Sequence, residues 1–162
     1  MATINPDEFR QAMRKWTTGV TIVTAQSRGI KHGMTVSSFT SVSLAPATVS
    51  ISLEQNTRTH GLIHEAGSFG ITFLSSEQQP ISERFAGQID DWKDRFEGLE
   101  TWVMETGAPF LFGGLAYLDC RVQSMLPFGS NTLIIGEVVA ARMGEEHNPL
   151  LYFNRTYRRL QE

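Results

Sequence analysis

Residues 32–46 read His32-Gly33-Met34-Thr35-Val36-Ser37-Ser38-Phe39-Thr40-Ser41-Val42-Ser43-Leu44-Ala45-Pro46, and the architecture turns on how this stretch is read. Six of its residues carry a hydroxyl. Val36, Phe39 and Val42 recur three apart, so one side can anchor in a core while short donors and peptide N–H groups occupy the other. Such donors hold a phosphate or a polar ring edge without a glycine-rich loop when the backbone curls around the ligand. Hydroxyl-rich turns also occur in proteins that bind nothing, and composition alone favours that plainer reading.

The flanks read as β-structure. Residues 20–25 are rich in branched side chains and form a strand, Ser27-Arg28-Gly29 is a turn, and a return strand from Ile30 runs into the hydroxyl-rich stretch, which Pro46 closes. Beyond it, residues 48–53 alternate, with Val49, Ile51 and Leu53 on one face and Thr48, Ser50 and Ser52 on the other. The polar turn Gln55-Asn56-Thr57-Arg58-Thr59 leads into a short helix that stops at Gly67. Helix-start donors beside Arg58 make a second plausible anion site, since dipole and guanidinium act in the same direction.

Toward the N-terminus, Asn5-Pro6-Asp7-Glu8 announces a helix that carries Phe9, Ala12, Met13 and Trp16 on one face and ends at Thr17-Thr18-Gly19. Toward the C-terminus, residues 68–74 form a strand, and Ser75-x-x-Gln78 is a capping box for a helix through Ile81 and Phe85. Residues 90–96 read as a loop and residues 101–104 as a brief strand. A long hairpin pairs residues 115–125 with 132–143 across a loop at 126–131, residues 150–153 make a last strand, and 154–159 are a polar, basic tail.

Short strands outnumber helices and do not alternate regularly with them, so the fold class is mainly β: an antiparallel, closed or nearly closed barrel with a few short flanking helices. The 162 residues, 41% of them hydrophobic, form a single domain over 1–162 that needs no disulfide or metal to hold its core. A lone cysteine, Cys120, fits a reducing compartment. Net charge is -3 with scattered basic residues, which argues against nucleic acid. Neither a signal-like start nor a membrane-spanning apolar run is visible, so the expected location is cytoplasmic, with no membrane partner.

Other chemistries are weaker. His60 and His64 lie four apart on a helix but lack a third ligand at a motif position, and read as helix-surface histidines. Cys120 has no paired histidine and reads as a buried structural thiol. Asp90 and Asp91 are adjacent and point apart in extended chain, which argues against a carboxylate dyad. A dinucleotide would be held without a Rossmann turn or a P-loop, since neither motif is present.

Residues 33–43 with Pro46 resemble the first flavin segment of the short-chain flavin reductases, the small components of two-component flavin-dependent monooxygenases. Ser52-Leu53-Glu54 with Asn56, Thr57 and Thr59 is similar to the family's second segment, Phe85-Ala86-Gly87 to a third, and residues 152–157 to the last. The resemblance spans about residues 9–160 and implies an FMN-binding split barrel that pairs as a homodimer. It implies flavin contacts from Met34, Thr35, Val36, Ser37, Ser38, Thr40 and Ser41, from Ser52, Leu53, Glu54, Asn56, Thr57 and Thr59, and from Phe85, Ala86 and Gly87. Asn154, Arg155 and Tyr157 would border the nicotinamide side. The implied cofactors are FMN or FAD, with NADH or NADPH giving hydride directly to the flavin, and the implied partner is a separate monooxygenase receiving reduced flavin.

One departure stands out. Where the family usually has Gly-Asp-His-Thr before an Ile-Gly-Glu-Val strand, this chain has Gly129-Ser130-Asn131-Thr132 before Ile135-Gly136-Glu137-Val138. Asn131 thus occupies the place of a histidine linked to nicotinamide binding and is the expected catalytic position. The alternatives are a flavin-binding barrel without nicotinamide-dependent activity, and a barrel that has lost its ligand and serves as an interaction subunit.

Overall fold

The computed structural model describes residues 3–87, 93–145 and 147–161. Helix α1 (Pro6–Met13) leads into β1 (Thr18–Gly19), β2 (Thr21–Ser27), β3 (Ile30–Val36), β4 (Thr40–Leu44) and β5 (Ala47–Glu54). Then come α2 (Arg58–Ala66), β6 (Ser68–Phe73), a 3-10 turn (Ser76–Gln78) and α3 (Gln79–Phe85). Strands β7 (Thr101–Trp102), β8 (Phe110–Leu111), β9 (Ala116–Phe128), β10 (Asn131–Met143), β11 (Leu151–Phe153) and β12 (Thr156–Arg158) complete the described chain.

Seven strands form one sheet in the order β3-β2-β6-β9-β10-β5-β4, antiparallel at every pair. Six alternations of direction leave the two edge strands, β3 and β4, running the same way. Only residues 37–39 separate them. Four peptide steps reach at most about 14 Å, too short for a return along a seven-residue strand. β4 therefore continues β3, and the sheet must curl until its two edges are successive halves of one strand. The result is an antiparallel split barrel, as expected.

Where the strand changes partner its ladder is interrupted, and the Ser38 hydroxyl fills the gap. It accepts from the Ser52 N–H and donates to the Ser52 C=O, both at 2.9 Å. The expected apolar stripe does not hold along the whole stretch. Val36 is buried and Phe39 packs on the core, but Val42 lies at a register shift between Ser41 and Ser43 and is 54% exposed.

The barrel interior is filled by Val23, Ile51, Leu53, Phe69, Ile71 and Ile134, plugged by Leu62 and Ile63 of α2. A second cluster lies on the outer face of β2, where Ile22 and Leu74 meet Phe85 of α3, Phe96, Leu111 and Leu150. Burial on both faces explains why residues 21–25 do not alternate.

Local signals were mostly met. The Asn5 Oδ1 caps α1, Gly67 ends α2 in a left-handed conformation at φ 65°, and the Ser75/Gln78 capping box is present. Three expectations need correction. Helix α1 stops at Met13, short of the expected end at Thr17-Thr18-Gly19, because the last-turn carbonyls of Ala12 and Met13 are taken by 3-10-type bonds from Lys15 and Trp16. The hairpin loop is not six residues long: β9 runs through Phe128 and β10 starts at Asn131, leaving Gly129 and Ser130 as a two-residue turn. Residues 154–159 are not a free tail, since Thr156–Arg158 pairs back on Leu151–Phe153 as β12. The 90–96 loop and the Asp90/Asp91 argument fall in part or whole on residues 88–92, outside the described residues.

Gly136 stands at a β10 register shift against the core ring of Phe69. A Cβ there would lie 2.5 Å from Phe69 Cζ and 3.2 Å from Cys120 Cβ. Gly136→Ala is therefore expected to destabilise the fold by about 1–3 kcal/mol through overpacking. Urea unfolding should report a lower midpoint at an unchanged slope.

Candidate functional site

The strand that closes the barrel also divides two clefts. The first, of about 240 Å³, lies between β3, the start of α2 and the end of α3. Met34, Thr35, Thr57, Thr59, Phe85, Ala86 and Gly87 line it, joined by His32, Arg58 and Arg95. Thr57 caps α2, its Oγ1 accepting from the His60 N–H at 3.3 Å, so the helix's opening N–H groups and the Arg58 guanidinium gather at one mouth. Arg95 is 5% exposed and donates from Nη1 to the carbonyls of Gly33 at 2.9 Å and Phe85 at 3.0 Å, clipping β3 to the end of α3.

The second cleft is larger, about 590 Å³. Ser37, Ser38, Phe39 and Thr40 form one wall, Tyr152, Asn154 and Arg155 another, and Arg10, Met13, Arg14 and Trp16 a third. A hydrogen-bonded tie runs from the first cleft to β12. Thr35 Oγ1 donates to the Ser82 carbonyl at 2.6 Å, and the Ser82 hydroxyl meets the Tyr157 hydroxyl at 2.8 Å.

Not every expected residue reaches a cleft. The Val36 and Leu53 side chains belong to the core, while Ser41, Glu54 and Asn56 are exposed. Ser52 and Tyr157 line neither cleft, and nor does Asn131. Its Nδ2 donates to Ser52 Oγ at 3.4 Å and its carbonyl accepts from Gln55 Nε2 at 3.0 Å, so its side chain connects to the second cleft only through Ser52 and Ser38. The single protons of the Ser38, Thr35 and Thr57 hydroxyls are committed to the carbonyls of Ser52, Ser82 and Glu54, which removes these hydroxyls from the expected donor set.

His32, Ser82 and Arg95 were missed. No motif flagged them: His32 sits in a strand and bonds Thr59 Oγ1 through Nδ1 at 2.8 Å, Ser82 lies inside α3, and Arg95 follows a charged stretch without periodicity.

A flavin mononucleotide asks for three things: anion donors for its phosphate, hydrogen-bonding groups for its ring edge, and room beside the ring. The first cleft supplies the donors, the 34–40 run supplies hydroxyls and peptide groups, and the second cleft supplies the room, so the residues present fit such a group.

Residues 13–161 match the family model of the flavin reductase like domain. The chain belongs to that family. It is similar to the reductase component of 4-hydroxyphenylacetate 3-monooxygenase from Thermus thermophilus, at 34% identity over 95% of this chain and 96% of the relative. An NADH-dependent flavin reductase from a Rhodococcus species is 35% identical over 98% of this chain and 88% of its own. Among solved structures, the NADH:FAD oxidoreductase SgcE6 of Streptomyces globisporus superposes with a TM-score of 0.91 at 28% identity, covering 100% of this chain and 99% of that one. The styrene monooxygenase flavin reductase of Pseudomonas putida S12 gives 0.84 at 35% identity over 96% and 98%.

In this flavin reductase-like domain the remaining titratable candidates are structural. Among the described residues no cluster of three His, Cys, Asp or Glu could hold a metal. Burial, with Asp119 adding to it, pushes the Cys120 thiol up to about 12, so it is no nucleophile at neutral pH. His60, expected as a helix-surface histidine, is half-buried and its Nε2 bonds Thr132 Oγ1 of β10 at 2.9 Å. Burial first, and His64 second, hold its pKa below the usual 6.5. The folded state thus prefers neutral His60, whose contribution is full above the unfolded value and is lost as pH falls through it and down to the depressed folded value. Between about pH 5 and 7, His60→Gln should flatten the dependence of the urea midpoint on pH.

Proposed function

We propose that the protein is an NAD(P)H-dependent flavin reductase that delivers reduced FMN or FAD to a separate flavin-dependent monooxygenase. The observation that carries the reading is the adjacency of the two clefts, one rich in anion donors and one broad, aromatic and cationic, along a single hydroxyl-rich strand. The names of the relatives support the same activity. Single-domain organisation over 1–162 and a cytoplasmic location complete the reading; the buried, unpaired Cys120 is compatible with the latter.

In this reading Arg58, Thr59 and the N–H groups of the first turn of α2 hold the flavin phosphate, with Thr57 capping that turn and Arg95 and Gly87 closing that end. Met34, Thr35, Ser37 and Thr40 offer backbone groups to the ring edge, Ser37 and Thr40 add their hydroxyls, and Phe85 and Ala86 pack beside it. Once bound, a flavin supplies the hydride chemistry itself, its N5 accepting from the nicotinamide C4. The protein's share is geometry: the Asn154-Arg155 turn, on a hairpin that Ser82 anchors through Tyr157, would set the nicotinamide against that ring at near-contact distance. No side chain in the arrangement has to transfer a proton.

A homodimer belongs to the proposal. Helix α1 buries no residue of its own, and Phe9, Met13 and Trp16 are 55%, 49% and 68% exposed, an apolar face that a second copy would cover. Light scattering at micromolar concentration should give twice the 18.1 kDa chain mass; a monomer alone would count against it.

Steady-state oxidation of NADH with added FMN or FAD tests the central reading, and absence of turnover with both NADH and NADPH would refute it. Asn131 offers no titratable group, so turnover should be flat between about pH 6 and 8, and Asn131→Ala should raise the Michaelis constant for NADH more than that for flavin. The second reading, a flavin protein without nicotinamide-dependent activity, is favoured by one fact: Asn131 lies outside both clefts. Coloured protein that does not oxidise either nicotinamide nucleotide would select it.

A further inference from the structure

The β11–β12 hairpin is the tightest available, with Phe153 paired to Thr156 across only Asn154 and Arg155. Both turn residues have positive φ, 48° and 62°. A two-residue turn with two left-handed positions takes Asn-Gly most readily, because asparagine tolerates the first and glycine is unstrained at the second. Here Asn154 conforms, while Arg155 holds the glycine slot with a Cβ that disfavours that conformation. A strained residue retained where an unstrained one would serve the fold points to a use for its side chain.

The surroundings indicate that use. Arg155 lines the second cleft together with Arg14, and among the described residues no carboxylate lines that cleft. Arg10, also present, is already paired with Asp7 at 2.7 Å. Neither Arg14 nor Arg155 has an ion-pair partner among the described residues. The Asn154 N–H donates to the Arg14 carbonyl at 3.0 Å, so the two arginines rise from adjacent, tied backbone at the rim.

We propose that Arg14 and Arg155 form a guanidinium clamp for the diphosphate of the nicotinamide dinucleotide, with turn stability given up at residue 155 in exchange for binding. This rests on the reductase reading and extends it to the half of the donor that carries no reactive atom. Paired guanidiniums suit phosphate oxygens, which accept charge-assisted, bidentate hydrogen bonds.

The test uses opposite signs. Arg155→Gly should raise the melting temperature by about 2 °C, as left-handed strain is relieved in a domain of this size. The same substitution should weaken binding of ADP-ribose, which carries the diphosphate but no nicotinamide ring, by about tenfold or more in calorimetry on flavin-loaded protein. Arg14→Gln should weaken ADP-ribose comparably without the thermal gain, and both variants should leave the flavin dissociation constant within about twofold. Wild-type affinity for ADP-ribose should also fall as salt rises. Unchanged ADP-ribose affinity in both variants overturns the clamp, and so does a fall in melting temperature for Arg155→Gly, since the strain argument then fails. Wild-type protein that binds ADP-ribose in this way yet oxidises no NADH would sink the reductase reading and leave the clamp standing.

Discussion

Everything in this fold depends on one strand having two partners. Residues 30–36 pair with β2 and residues 40–44 with β5, and because both halves run the same way the sheet has no choice but to close. Closure removes the open edges that a seven-stranded sheet would otherwise present. It also creates a point, residues 37–39, where neither partner is in register and backbone groups are released from the ladder. Ser38 covers part of that deficit by bonding both backbone groups of Ser52. A site built on the rest of the released segment needs no glycine-rich loop, because the barrel's own seam supplies the irregular backbone.

The seam gains a cofactor-sized environment from what is packed across it. Helix α2 plugs the barrel with Leu62 and Ile63, and this packing fixes where its N-terminus and Arg58 emerge. Helix α3 is drawn down on the other side by Phe85, fully buried against Phe96 at a centroid distance of 5.1 Å. Arg95 then ties the end of α3 to Gly33 of β3, and Ser82 ties Thr35 to Tyr157. Both ties are made by buried groups, whose bonds are expensive to leave unmade and therefore hold their geometry firmly. The clefts are consequently set by the core rather than by the loops around them.

Much of this was legible in the sequence, for identifiable reasons. Residues 48–53 alternate because β5 has one face in the barrel, and the caps at Asn5, Gly67 and Ser75/Gln78 are local signals that tertiary packing did not override. The partner switch was not legible. A register shift at residues 41–43 breaks the period of two, so Val36, Phe39 and Val42 imitate a stripe spaced by three although Val42 faces solvent. The 3-10 termination of α1 and the β12 pairing were hidden because neither depends on a hydrophobic period: one is a matter of which carbonyls the last turn leaves, the other of two consecutive positive φ angles at non-glycine residues. Within the site, segments near one another in sequence could be grouped by resemblance, but the contributions of Ser82 and Arg95 come from long-range contacts. Their bonds to Tyr157 and Gly33 span 75 and 62 residues.

Asn131 shows where sequence position and spatial position part company. The two-residue turn at Gly129-Ser130 begins β10 opposite Glu54, and the alternation of the strand then sends Thr132 and Ile134 inward while Asn131 lies on the outer face, beside Ser52. Thr132 is fixed from within by His60, so the hairpin cannot rotate Asn131 toward the clefts without breaking a bond on the buried side. Whatever Asn131 contributes must therefore pass through Ser52 and Ser38, the same two residues that bridge the barrel seam. A group that acts on the seam acts on the backbone geometry of residues 37–40, which line the broad cleft, and so reaches a nucleotide bound there without touching it.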